Sequence, residues 1–180
     1  MQRYNDRQKR NDRKIENYLE HIQKGKQEKP FYEIIVQVGN KDDMGVNTHN
    51  KELSKTILDE YMKEFQKRNP YIYVFNAHLH MDEATPHLHI DFIPFTTNSK
   101  RGLGTRVSMK QALSNQGFNG GTREETEWSQ WVKSEKQALS KVMQEHNVEW
   151  EFQGNDKEHL SVLDYKKQER KKEVTELERQ

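Results

Sequence analysis

Residues 78–89 read His78-Leu79-His80-Met81-Asp82-Glu83-Ala84-Thr85-Pro86-His87-Leu88-His89, so four of the chain's eight histidines and two carboxylates fall within twelve positions. Neutral imidazole is the commonest side-chain ligand of biological metals, and neutral is its ordinary state at pH 7. On a β-strand His87 and His89 project from one face, with Leu88 on the other. An antiparallel strand just before them sets His80, at its end, beside the pair. Three imidazoles on one face suit Mn²⁺, Zn²⁺ or a similar ion and leave positions open for water or a phosphate oxygen. Glu83, in the connecting loop, is either a fourth ligand or a nearby base. Asp82 and Asp91 are candidates to orient an imidazole through its second ring nitrogen. His78 shares a face with His80 but stands further along the strand, away from such an ion. His21, His49, His146 and His159 have no partners at ligand spacing and read as surface or structural residues.

The neighbouring segments supply the elements that would position this cluster. Residues 1–30 form a polar segment whose Ile15, Tyr18, Leu19 and Ile22 fall at helical spacing, closed by Gly25 and Pro30. Phe31 to Gly39 alternates as a strand, with Tyr32, Ile34, Val36 and Val38 on one face. Leu53, Ile57, Leu58, Tyr61, Met62 and Phe65 make one helical stripe between about Asn50 and Lys67, ended by Asn69-Pro70. Tyr71 to His80 and Pro86 to Phe95 are strands joined by a short acidic loop. A short helix is expected around Ser108 to Ser114, a long one over Glu124 to His146, and a further strand over Val148 to Phe152. The expected architecture is α+β: an antiparallel sheet with helices packed on one face and the histidines on the open one. The organisation read from this is a polar N-terminal segment (1–30), a metal-binding domain (31–155) and a charged C-terminal helix (156–180).

Composition narrows the chemistry. The 180 residues contain no cysteine, which excludes disulfides, thiolate zinc sites and thiol catalysis. No apolar run approaches the roughly 20 residues of a membrane helix and there is no secretory signal pattern, so the expected location is cytoplasmic. The formal net charge is only +1, but residues 100–110 hold Lys100, Arg101, Arg106 and Lys110 and no acid. Such a local basic patch matters more for phosphate binding than the total charge does.

The pattern His80-x-Asp82-Glu83-x-x-Pro86-His87-x-His89 resembles the third motif of the Mob/Pre plasmid mobilization relaxases, also called plasmid recombination enzymes, within the HUH endonucleases. Those are named for a hydrophobic residue flanked by two histidines on a strand. Ile93-Pro94 closes the strand in a similar way, and the surrounding order of strand, long helix, strand, basic loop and Trp-bearing helix resembles the family from Phe31 to about Leu163. The resemblance implies a domain that binds single-stranded DNA at a plasmid origin of transfer and nicks one phosphodiester by transesterification, staying attached to the 5′ phosphate. It assigns His80, His87 and His89 to the metal and makes Glu83 a ligand or the residue that activates the nucleophile. The metal's work would be electrostatic, and with three nitrogen ligands manganese is favoured over magnesium.

One part of the family pattern is not matched. Members carry an earlier His-Asn-x-Arg motif led by the nucleophile, and none precedes the first strand here. Tyr4-Asn5-Asp6-Arg7 has Asn and Arg at the right offsets, which makes Tyr4 a candidate nucleophile, although its setting looks helical. The alternative expectation is that the nucleophile lies upstream of Met1 and that the chain is a fragment. Lys100, Arg101 and Arg106 are the expected DNA contacts. Trp128 and Trp131, at helical spacing with Val132 and Leu139, read as core before they read as base-stacking residues. The Lys166 to Lys172 run reads as a solvated helix face or a dimerising helix. Two other classes remain: a phosphoesterase or nuclease using metal-bound water, and a non-catalytic DNA-binding module with a structural metal.

Overall fold

A computed structural model of the chain describes residues 1–25, 28–99 and 102–150, together with 167, 170, 171, 174 and 175. Lys100, Arg101, Phe152 and most of the expected C-terminal helix with its dimerising role lie outside the described residues. The five described positions beyond residue 150 are helical. Met1–Glu149 form one compact unit and Trp150–Gln180 a second.

The chain opens with a short helix α1 (Gln2–Asn5), a single 3₁₀ turn at Asn11–Arg13 and helix α2 (Tyr18–Lys24). Asn17 caps α2 by accepting from the backbone N–H groups of Leu19 and Glu20, the role a short polar side chain plays at a helix start. Ile15 and Ile22 are buried, and the Tyr18 hydroxyl accepts from Val107 N–H at 2.8 Å. Strand β1 (Tyr32–Gln37) follows, then α3 (Lys51–Lys63) and α4 (Phe65–Arg68), strands β2 (Ile72–His80) and β3 (His87–Thr96), the two-residue β4 (Arg106–Val107), α5 (Met109–Asn115) and α6 (Glu127–Glu145).

β3 is the middle strand, antiparallel to β1 on one side and to β2 on the other. β1 and β2 therefore run parallel with β3 between them, and α3 and α4 make the crossover. β4 pairs the far end of β3 through Phe95–Val107 and Thr96–Arg106. Leu88, Ile90 and Phe92 of β3 are buried against Ile57, Leu58, Tyr61 and Phe65 of α3 and α4, Leu113 of α5 and Trp131, Leu139 and Met143 of α6. Strand periodicity turns the residues between them, His89 and Asp91, to the opposite face. The α+β architecture read from the sequence is the one observed.

Two local readings are corrected. The stripe over residues 50–67 is two helices, broken at Glu64. Val148 to Trp150 are not a strand: Asn147 takes a left-handed backbone (φ 59°), the chain reverses, and Val148 N–H caps α6 by donating to Met143 O at 2.9 Å. The fourth strand is β4, within the basic stretch read as loop.

The helical layer is fixed by a buried polar network. The Glu135 carboxylate accepts from Tyr61 Oη at 2.6 Å, Arg68 Nη2 at 2.9 Å and Asn69 Nδ2 at 2.9 Å, while Asn69 Oδ1 accepts from Trp131 Nε1 at 2.7 Å. Burial, reinforced by the Glu135 charge, pushes the Tyr61 phenol well above its ordinary value. Trp131 is thus a core residue, as its spacing suggests. Trp128 is 40% exposed, its ring 4.9 Å from that of Trp131.

Candidate metal centre

The sheet register assembles the site on the face opposite the core that α3 to α6 cover. Successive rungs across β1, β3 and β2 are Gln37–His87–His80, Ile35–His89–His78 and Glu33–Asp91–Asn76. His80 and His87 are therefore direct cross-strand partners, their rings stacked with centroids 5.1 Å apart. His89 lies with its ring 4.9 Å from that of His80 and 5.0 Å from that of His87. His78 is the cross-strand partner of His89, and its ring is 4.5 Å from that of His80.

The loop between β2 and β3 brings in the carboxylate. Glu83 Oε2 is 3.8 Å from His87 Nε2, and one ligating atom each from His80, Glu83 and His87 lie within 4.8 Å of one another. Two imidazoles and a carboxylate are a donor set for Mn²⁺ or Zn²⁺, so the residues present fit the ion that the sequence implies. His89 adjoins this group without belonging to its mutually close set, and His78 stands outside it as well. The loop is supported from the segment after β1, where Val46 N–H donates to Ala84 O at 3.2 Å. Gly45 makes that approach feasible: a Cβ there would overlap the Lys41 carbonyl oxygen and come within 3.0 Å of Ala84 O.

Three oxygens engage the Nδ1 edges of the three imidazoles. His87 Nδ1 is 2.9 Å from the Thr85 carbonyl oxygen, which can only accept, so Nδ1 carries the proton and Nε2 keeps the lone pair. His89 Nδ1 is 2.6 Å from Glu33 Oε1, and His80 Nδ1 is 3.4 Å from Asp82 Oδ1. Of the two acids expected to orient an imidazole, Asp82 is beside one. Asp91 is not: it accepts from Asn76 Nδ2 at 2.9 Å across the β2–β3 pair. Glu33, on β1, was not anticipated. It is 56 positions from its partner, and only the order of the strands brings them together.

The other expected site residues lie elsewhere. Tyr4 is in α1, partly buried, and no hydrogen bond or ring contact joins it to the histidines among the described residues. Its neighbour Asn5 has a structural task, donating Nδ2–H to Ile15 O at 2.8 Å and accepting Ile15 N–H at 2.9 Å. Arg106, in β4, pairs with Glu28 at 3.3 Å and lines a polar cavity of about 600 Å³ with Thr96, Ser99, Gln111 and Asn115. Among the described residues, no helix is long and apolar enough to cross a membrane.

Fold and site together define a class: an α+β protein whose single antiparallel sheet carries helices on one face and a histidine–carboxylate cluster on the other. The chain belongs to the plasmid recombination enzyme (Mob/Pre) family, whose family model matches residues 1–167. A relative from Bacillus thuringiensis named plasmid recombination enzyme is 33% identical over 118 residues, covering 62% of this chain and 26% of the relative. The chain thus spans about a quarter of that relative's length. No solved structure matches the chain.

Proposed function

We propose that this chain forms the metal-binding part of a relaxase site that nicks one strand of plasmid DNA at one phosphodiester of a transfer origin, by transesterification. The observation that carries the reading is the set of ligating atoms from His80, Glu83 and His87 within 4.8 Å on an open sheet face, in a chain of the plasmid recombination enzyme family. A divalent ion, manganese by preference for the nitrogen donors, would draw charge from the scissile phosphate when bound. His80 and His87 would hold the ion, with His89 as the third imidazole, and the Thr85 carbonyl keeps the His87 ring in the orientation that leaves Nε2 free. Glu83, 3.8 Å from His87 Nε2 and with its side chain 64% exposed, would complete the ligand set or take the proton from the attacking group.

The same face suits a single strand. Phe31, Ile35, Tyr73 and Phe75 are each about half exposed; Ile35 shares the rung of His89, and the Phe31 and Phe75 rings meet at 5.8 Å, so bases can stack there. Lys100, Arg101 and Arg106 are the proposed phosphate contacts; Arg106 must exchange Glu28 for DNA.

The test is nicking of a supercoiled plasmid bearing a transfer origin in the presence of Mn²⁺, followed by a denaturing gel for protein-linked strand. The expected result is a metal-dependent nick that disappears in His87→Ala and leaves a covalent adduct. Cleavage with free ends instead moves the chemistry to metal-bound water, and undiminished nicking by His87→Ala refutes the metal assignment. An adduct that persists in Tyr4→Phe excludes Tyr4 as nucleophile.

A further inference from the structure

The Nδ1 edges of the three imidazoles are not served alike. For His87 the acceptor is the Thr85 carbonyl two residues away, so the loop that carries the ligand also sets its ring, and for His80 the nearest oxygen is that of Asp82, also two residues away, at 3.4 Å. His89 has no local acceptor. Its Nδ1 meets Glu33 Oε1 at 2.6 Å, the shortest of the three contacts, across the β1–β3 pair. An ionised carboxylate only accepts, so this contact places the proton on Nδ1 and leaves the Nε2 lone pair as the one ligand His89 can offer. The backbone of Glu33 is fixed by the sheet: it is in register with Asp91, one rung from His89, on a strand whose other face packs into the core.

We infer that Glu33 is a positioning residue for the metal centre, fixing the ring and tautomer of His89 from the neighbouring strand. This rests on the reading of the cluster as a metal site, and it assigns to β1 a part in that site beyond sheet pairing. Carboxylates that accept from the distal nitrogen of a ligating histidine commonly contribute 10–100-fold to metal affinity. Glu33 should act only through His89, because its own oxygens are outside the mutually close donor set.

Two measurements test this. The first needs no metal: ¹⁵N-detected imidazole tautomers of the metal-free protein at about pH 8, above the ordinary imidazole range. His89 should be Nδ1-protonated in the wild type and lose that preference in Glu33→Ala, with His87 unchanged as the internal control. A His89 tautomer indifferent to Glu33→Ala overturns the inference whatever the metal does. The second is Mn²⁺ affinity by electron paramagnetic resonance. Glu33→Ala should weaken binding by about 10–100-fold, and Glu33→Gln, which keeps a neutral acceptor, by less. His89→Ala and the Glu33→Ala/His89→Ala double variant should agree within about twofold, since a residue acting through another adds nothing once that one is gone. A further tenfold loss in the double variant would make Glu33 an independent ligand or charge and refute the positioning role. If instead His87→Ala and His89→Ala both bind Mn²⁺ as well as the wild type does, the metal reading itself fails.

Discussion

Replacing His87 by alanine separates two contributions that the structure assigns to one ring. The first is structural. The His87 side chain is 11% exposed, donates to the buried Thr85 carbonyl and stacks on His80, so truncation leaves an acceptor unpaired and a face of His80 uncovered. An unsatisfied buried acceptor costs about 1–3 kcal/mol, and because the His87 side chain keeps 11% exposure its removal lets water reach Thr85 O, so the low end applies: about 1–2 kcal/mol without metal. The second contribution is linkage. An ion present at about 100 times its dissociation constant stabilises the folded state by about 2.7 kcal/mol. For the compact unit formed by Met1–Glu149, each kcal/mol moves the unfolding midpoint by about 2–4 °C. Thermal unfolding should therefore show the variant about 2–8 °C below the wild type without metal. Saturating Mn²⁺ should raise the wild type by about 5–11 °C and leave the variant within about 2 °C of its metal-free midpoint. The reasoning is refuted if Mn²⁺ stabilises His87→Ala as strongly as the wild type, because a site that survives loss of its most buried ligand is built from other residues.

Glu135→Leu should cost about 3 kcal/mol in chemical denaturation, the low end for breaking a buried pair because the Arg68 side chain keeps 27% exposure. Adding Arg68→Leu should recover part of that loss, and a double variant as unstable as the sum of the singles would mean that packing, not the stranded charge, sets the cost. Because burial raises the Tyr61 phenol above its ordinary value, the stability it contributes is complete below about pH 10 and lost as pH rises beyond it. Tyr61→Phe should flatten the alkaline fall of the unfolding free energy without abolishing it, since burial raises Tyr18 and Tyr32 in the same direction; an unchanged slope would show that Tyr61 titrates normally. Gly45→Ala should displace the loop that carries Glu83, lowering Mn²⁺ affinity measurably while the far-ultraviolet spectrum of the sheet and helices stays that of the wild type; unchanged affinity would show that the Ala84 contact does not govern the loop.

What the sequence made legible was whatever a local period or a short loop controls. β1 and β3 show alternation because one face meets the helices and the other does not, while in β2 the register shift between Val74 and Asn76 interrupts it; the stripes of α3 and α6 mark the residues that cover that sheet. β4 has no such signature: two residues long, it exists because the end of β3 offers unpaired backbone and the Tyr18 hydroxyl anchors Val107 from 89 positions away. The expected strand at Val148 fails for a related reason, since the left-handed turn at Asn147 commits its apolar residue to capping α6 and packing on the core.

The same distinction runs through the candidate site and explains why Glu33 is not legible in the sequence. His80, Glu83 and His87 are joined by a loop short enough that ligand spacing and strand parity bring them to one place, so their residue types and order were sufficient. Glu33 sits on a strand that alternates in the ordinary way, and nothing in residues 31–39 distinguishes its carboxylate from any solvent-facing glutamate. Its meaning depends on β1 lying beside β3 rather than beside β2, and on a register that puts Glu33 opposite Asp91 and one rung from His89. A one-residue slip of β1 would turn Glu33 to the helical face and bring Ile34 to the open one. The core faces of Tyr32, Ile34 and Val36 oppose that slip, since they pack against the buried cluster only in the observed register. The hydrophobic pattern of β1 thus fixes the one carboxylate that the histidine motif cannot supply for itself, and core packing and the orientation of His89 are determined by the same strand.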